Sequence, residues 1–147
     1  MAVSVSKEFD INAPLAVVME VLQDIPALPD WSSAHSAAEV LTTHDDGTPD
    51  KVSVSVGMIG INDDQQLSYT WTDNVCAWSL VESSQLAEQE GSYTLSAVGD
   101  NKTHVKFELT VDLKIKLPGL LVKQGQKKAA DTAKKGLTAE SEKRAKE

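Results

Sequence analysis

Residues 105–139 read VKFELTVDLKIKLPGLLVKQGQKKAADTAKKGLTA. Two periods meet in this stretch. Val105, Phe107, Leu109, Val111, Leu113, Ile115 and Leu117 alternate with Lys106, Glu108, Thr110, Asp112, Lys114 and Lys116. A period of two with one wet face predicts a half-buried strand. Pro118-Gly119 ends the alternation, and the period then lengthens. At about 100° per residue, Leu121, Val122, Gly125, Ala129, Thr132, Ala133 and Gly136 share one third of a helical wheel, with Lys123, Lys127, Lys128, Asp131, Lys134 and Lys135 on the other side. The chain therefore ends on an amphipathic helix, the long element available to cover the apolar face of whatever sheet precedes it.

The inner face of that helix is built from small side chains. Two glycines inside a helix cost roughly 1 kcal/mol each relative to alanine, and a tight core would prefer Leu or Ile there. Two readings stand beside each other. Small residues let a helix lie directly on a sheet; alternatively, the missing volume is a ligand cavity. On the second reading, Gly136→Leu or Ala129→Phe is expected to fill the cavity and abolish binding with the fold intact.

Upstream, Val3, Val5, Phe9 and Ile11 alternate with Ser4, Ser6, Glu8 and Asp10, which predicts a first strand. Pro14 suits the first turn of a helix carrying Leu15, Val18, Met19 and Leu22, and Pro26 and Pro29 leave at most a second short helical turn before Trp31. Strands follow at Ala38 to Thr43, at Val52 to Met58, through Leu67, Tyr69 and Trp71, through Cys76, Trp78 and Leu80, and through Tyr93 and Leu95. Turns are expected at His44 to Pro49, Asn62-Asp63-Asp64, Asp73-Asn74 and Gly99-Asp100-Asn101. Strands joined this closely form an antiparallel meander. The fold class is α+β: a curved antiparallel sheet around the C-terminal helix, in one domain spanning 1–147 with a frayed tail over about 141–147.

With 147 residues, 41% hydrophobic and 24% charged, the chain has the composition of a soluble globular domain able to bury its own core. No run approaches the roughly 20 apolar residues of a membrane span, and Met1 to Phe9 lacks the basic and apolar regions of a signal peptide. One cysteine, Cys76, excludes an internal disulfide and fits a reducing compartment, so the protein is read as cytoplasmic. The net charge of −8 is uneven. Residues 1–113 hold 4 Lys against 18 acidic residues; residues 114–147 hold 10 basic residues against 4 acidic. The acidic majority excludes general nucleic-acid binding. The basic end either complements the acidic sheet or touches an anionic surface such as lipid headgroups.

The string Ile11-Asn12-Ala13-Pro14, an apolar helix running to Val21-Leu22-Gln23-Asp24, and then Pro29-Asp30-Trp31 resembles the opening of the START-like (SRPBCC) superfamily. That group includes polyketide cyclase/dehydrase-type and coenzyme-Q-binding-type members. The order strand, two short helices, six strands and a long helix is similar to its helix-grip architecture over nearly the whole chain. The resemblance implies a small bacterial protein that binds or transports a hydrophobic molecule such as a lipid, quinone or polyketide-like compound. It also leaves two alternatives open: an aromatase/cyclase-like enzyme, and a protein-interaction module like the toxin-like relatives of the group.

The residues themselves offer little chemistry. His35, His44 and His104 are scattered, lack metal-ligand spacing and are expected to be solvated or capping. Cys76 falls beside Trp78 and Leu80 with no evident base, so it reads as a small hydrophobe. Asp45-Asp46, Asp63-Asp64 and Glu88/Glu90 read as turn formers and solubilising charge, with no carboxylate expected on the inner face of the central strands. No catalytic residue, metal site or cofactor is assigned. Tyr69, Trp71, Trp78 and Tyr93 fall on inward faces and read either as ordinary core or as pocket walls. On the second reading the expected ligand-lining set is Tyr69, Trp71, Trp78, Tyr93, Phe107 and Leu109 from the sheet with Gly125, Ala129, Thr132, Ala133 and Gly136 from the helix, and Tyr69, Tyr93 and Thr132 supply the orienting polar groups. Met58-Ile59-Gly60-Ile61 and Leu117-Pro118-Gly119-Leu120-Leu121 either pack on each other or form a cavity mouth that makes transient membrane or subunit contact. Either a monomer or a homodimer is compatible with this reading.

Overall fold

In the computed structural model, which describes residues 1–58 and 61–147, the first strand does not pair with its sequence neighbours. β1 (Ala2–Ile11) runs antiparallel to the last strand, β7 (Lys102–Leu113), with Val3 opposite Val111 and Phe9 opposite Val105. Between them in sequence come α1 (Leu15–Gln23), a 3₁₀ turn (Ile25–Ala27), α2 (Leu28–Trp31), β2 (His35–Val40), β3 (Lys51–Met58), β4 (Ile61–Trp71), β5 (Val75–Ser83) and β6 (Leu86–Gly99). Among the described residues these seven strands form one antiparallel sheet in the order β1-β7-β6-β5-β4-β3-β2. The long helix α3 (Gly119–Ala145) follows. None of the described helices is long and apolar enough to cross a membrane. The expectation for Met58-Ile59-Gly60-Ile61 lies outside the described residues.

The turns follow the residues that need them. Gly47, at φ 88°, takes the left-handed conformation a glycine adopts without steric cost. Beside it the Asp46 carboxylate accepts from the Thr48 N–H and hydroxyl. The core runs along the concave side of the sheet, through Leu67, Tyr69, Cys76, Tyr93, Leu95, Val105 and Phe107, and is closed at one end by Val18, Met19, Val21 and Leu22 of α1. Thr103, fully buried, donates its hydroxyl to the Ala13 carbonyl and ties β7 to the entry of α1.

Three expectations are corrected. Asn62-Asp63-Asp64 is not a turn: β4 begins at Ile61, and Asp63 points inward. The last strand stops at Leu113, so Ile115 and Leu117 belong to the connection into α3. The tail does not fray at Ser141, because the helix runs to Ala145. Ser141 is fully buried there, Glu142 accepts from the Asn12 N–H, and Arg144 bridges Glu140 and Asp24 at 2.8 Å each.

Helix α3 is seated unevenly. Ala133, Leu137 and Ser141, four residues apart, are buried, whereas none of residues 119–132 is. A stripe at spacing four drifts about 40° per step around a straight helix. The C-terminal half therefore turns Leu137 into the core, and the N-terminal half turns Gly125 and Ala129 over the open part of the sheet.

Candidate functional site

Between that loosely covered half of α3 and the sheet lies a cavity of about 140 Å³. Its floor is aromatic. The rings of Trp71, Tyr69, Trp78, Tyr93 and Phe107 form a continuous ladder across β4, β5, β6 and β7, with successive centroids 5.5, 5.7, 5.7 and 5.0 Å apart. These offset and tilted spacings are those at which aromatic pairs attract. The roof is Gly125, Ala129, Thr132 and Ala133, and Val21, Leu22, Ile25, Leu28 and Trp31 close the side. A second void of about 70 Å³ adjoins it and shares Val56, Gln65, Leu86, Leu109, Val111, Gly125 and Ala129 with it. Cavities of roughly 150 Å³ with apolar walls hold a single aromatic ring, so the space exceeds a packing defect.

Trp78 reaches its place through a glycine. Its cross-strand partner is Gly91, where a Cβ would collide with the indole ring. The indole N–H donates to Gln89 Oε1 at 3.0 Å; Gln89 Nε2 donates to Gln65 Oε1 at 3.0 Å; Gln65 Nε2 donates to Asp63 at 2.9 Å. Asp63 also accepts from the Ser83 and Ser84 hydroxyls. A carboxylate only accepts, so its charge sets the direction of both amides and holds Trp78 flat on the floor. Burial alone would raise the Asp63 carboxyl, but the bonds from Ser83, Gln65 and Ser84 outweigh it and hold it below the ordinary carboxylate value.

Polar atoms face this space without a protein partner. Tyr69 and Tyr93 are buried cavity residues whose hydroxyls make no hydrogen bond among the described residues; the Trp31 Nε1–H is also unpartnered, but it is sealed from the cavity. His35 lines the cavity with its Nδ1 2.7 Å from the Ser32 hydroxyl, and burial pushes its pKa down to about 4. Burial also raises the Tyr69 and Tyr93 phenols and the Cys76 thiol far above their usual values. Near neutral pH these wall groups are therefore uncharged. No group of His, Cys, Asp and Glu among the described residues could hold a metal ion.

Of the expected lining set, Tyr69, Trp78, Tyr93, Phe107, Leu109, Gly125, Ala129, Thr132 and Ala133 come together around the cavity. Two residues do not. Trp71 stacks at the end of the ladder, where its indole N–H donates to the Pro49 carbonyl at 2.8 Å. Gly136 is pressed against the Trp31 carbonyl, where a Cβ would collide, so at this position the close-approach reading holds and Gly136→Leu cannot fill a cavity. Thr132 lies 3.5 Å from the Ser33 hydroxyl. Lys128, placed by the wheel on the outer side, edges the cavity. His35 is not a solvated histidine, and Asp63 is the inward carboxylate that was not expected. Trp31, His35, Gln89 and Gly91 carry no local signal for a place at the cavity. For Gln65 the signal is alternation, which places it on the same face as Leu67 and Tyr69.

The model of the family described as polyketide cyclase/dehydrase and lipid transport matches residues 11–138. Curated protein sequences include no match. A START superfamily protein from Mycobacterium smegmatis superposes with a TM-score of 0.81 at 21% identity, with 97% of each chain covered. The Zhui aromatase/cyclase from Streptomyces sp. R1128 gives 0.84 at 15% identity, covering 98% of this chain and 96% of that one. Ginseng major latex-like protein 151 from Panax ginseng gives 0.69 at 12% identity, covering 98% and 97%. At these identities the likeness is one of fold.

Proposed function

This chain belongs to the polyketide cyclase/dehydrase and lipid transport family, and from that premise we propose that it binds and carries a flat, apolar small molecule between the sheet and α3. The observation that carries the reading is an aromatic-floored cavity of about 140 Å³ lined by two tyrosines whose hydroxyls make no hydrogen bond among the described residues. Apolar walls supply affinity at roughly 25 cal/mol per Å² of ligand surface removed from water. Two phenols supply orientation. The ligand contacts proposed are Tyr69, Trp78, Tyr93, Phe107 and Leu109 below, with Gly125, Ala129, Thr132 and Ala133 above.

Binding is favoured over turnover because the cavity groups His35, Tyr69, Tyr93 and Cys76 are all displaced toward their neutral forms. A general acid or base works best with a pKa near the operating pH, and none of these four has one. Native mass spectrometry of protein purified from its own host tests the reading: a copurified apolar compound is expected, bound by wild type and lost in Ala129→Phe. A compound converted to product on incubation would replace the carrier with a cyclase-like enzyme. Equal uptake by Ala129→Phe would remove the cavity from consideration.

A further inference from the structure

We propose that the outward face of α3 and the β7–α3 corner dock this protein on an anionic lipid bilayer. Lys123, Lys127 and Lys134 lie on one exposed stripe of the helix, and Lys135 is exposed beside it. None of them takes part in an ion pair among the described residues. The basic end of the chain therefore does not neutralise the acidic sheet. The acids on the outer face of β1 and β7 are paired locally, Glu8 and Asp10 with His104 and Lys102, Glu108 with Lys106 and Asp112 with the N-terminal amine. The exposed Asp64, Glu82 and Glu90 on β4, β5 and β6, by contrast, take part in no ion pair among the described residues, and the molecule is polarised. A negatively charged surface attracts the helix side and repels the sheet side, which fixes orientation as well as affinity.

Charge alone would suit any polyanion. The corner narrows the choice. Leu120, at the head of the same helical stripe, is 69% exposed, and Ile115 is 46% exposed. Lys114 and Lys116 flank Ile115 and are exposed too. Apolar tips ringed by lysines suit the boundary between headgroups and acyl chains, where both parts gain; neither a nucleic acid nor an acidic protein surface needs them. The location has a use. Ile115, Leu117 and Val122 line the smaller void, which adjoins the main cavity, so a docked corner would face lipid at the end of the cavity nearest the loosely seated half of α3.

Sedimentation with vesicles tests this, using pure phosphatidylcholine and phosphatidylcholine with one-third phosphatidylglycerol. Wild type is expected to partition about tenfold or more in favour of the anionic vesicles, with the preference shrinking as salt rises. Lys123→Glu/Lys127→Glu/Lys134→Glu should fall to the neutral-vesicle level. Leu120→Asp should lose several-fold. All four positions are exposed, and circular dichroism should report an unchanged fold. Ala129→Phe should keep full vesicle binding, so failure of the cavity reading and failure of this one are separable. Equal partition into both vesicle types, or intact binding by the triple variant, would overturn the proposal. So would binding to heparin as strong as to vesicles and indifferent to Leu120→Asp, which would assign the face to a soluble polyanion.

Discussion

Gly136 and Ala129 lie two turns apart on one helix, yet their environments demand opposite things. Gly136 sits against the Trp31 backbone carbonyl, which cannot swing aside as a flexible side chain can. Gly136→Leu is expected to destabilise by about 2–4 kcal/mol, read as a lowered urea midpoint. Ala129 faces open volume, so Ala129→Phe should hold its midpoint to within about 1 kcal/mol and lose ligand. His35 gives a pH signature of the same site. Its folded pKa of about 4 lies below the ordinary 6.5. As pH falls through that window the unfolded chain takes up a proton that the folded chain refuses, and stability is lost. The loss at the lower end is at most about 3 kcal/mol, and His35→Gln should flatten that stretch of the stability curve. His104 acts in the opposite sense. Hydrogen bonds that the His104 ring donates to Glu8 and Asp10 hold its pKa above 6.5, so its contribution is complete below 6.5 and fades as pH rises through the raised value. Two-dimensional NMR titration of the ring protons should show the two histidines moving apart on either side of 6.5.

At the scale of elements, what the sequence disclosed was whatever period and turn chemistry dictate locally. The β7 alternation, the Pro14 helix start, the Gly47 turn and the small face of α3 all follow from neighbours within a few residues. The misreadings arise where a distant residue decides. Asn62-Asp63-Asp64 has turn composition, but Ser83 and Ser84, some twenty residues away, satisfy the Asp63 carboxylate and let a strand begin at Ile61. The terminal segment looks like a frayed, charged tail until Asp24, the residue that caps the C-terminus of α1, is seen beside Arg144. That clamp holds the seated half of the helix. Arg144→Ala should cost about 1–2 kcal/mol, more than an exposed pair and less than a fully buried one. Amide exchange should quicken in residues 137–145 and leave the β-sheet amides unchanged. Uniform acceleration throughout the chain would mean that the clamp supports the whole fold and not the helix end.

For the whole molecule, the open question is how a resting cavity of about 140 Å³ serves a family whose model name spans polyketide chemistry and lipid transport. Drug-sized ligands usually occupy about 300–1,000 Å³, so two behaviours are distinguishable. If the sheet and α3 are rigid about the cavity, ligands of one or two fused rings should stabilise most. A ligand at a hundred times its Kd adds about 2.7 kcal/mol, and three-ring compounds should add less. If the unburied half of α3 lifts, the smaller void joins the first and stabilisation should keep rising with ring number. Seating favours the second outcome. No residue of 119–132 is fully buried, and this half is held to β1 by the Gln126 side chain donating to the Ser4 carbonyl at 2.7 Å. The other end is fastened by Leu137 and Arg144, so the N-terminal half lifts at less cost than the C-terminal half. A thermal-shift series from one ring to three should therefore climb with size. A disulfide between introduced cysteines joining the N-terminal half of α3 to β1 should cut the series off at the small compounds while raising the melting temperature of the free protein. If the stapled protein still takes the larger rings, the lifting helix is not their route in.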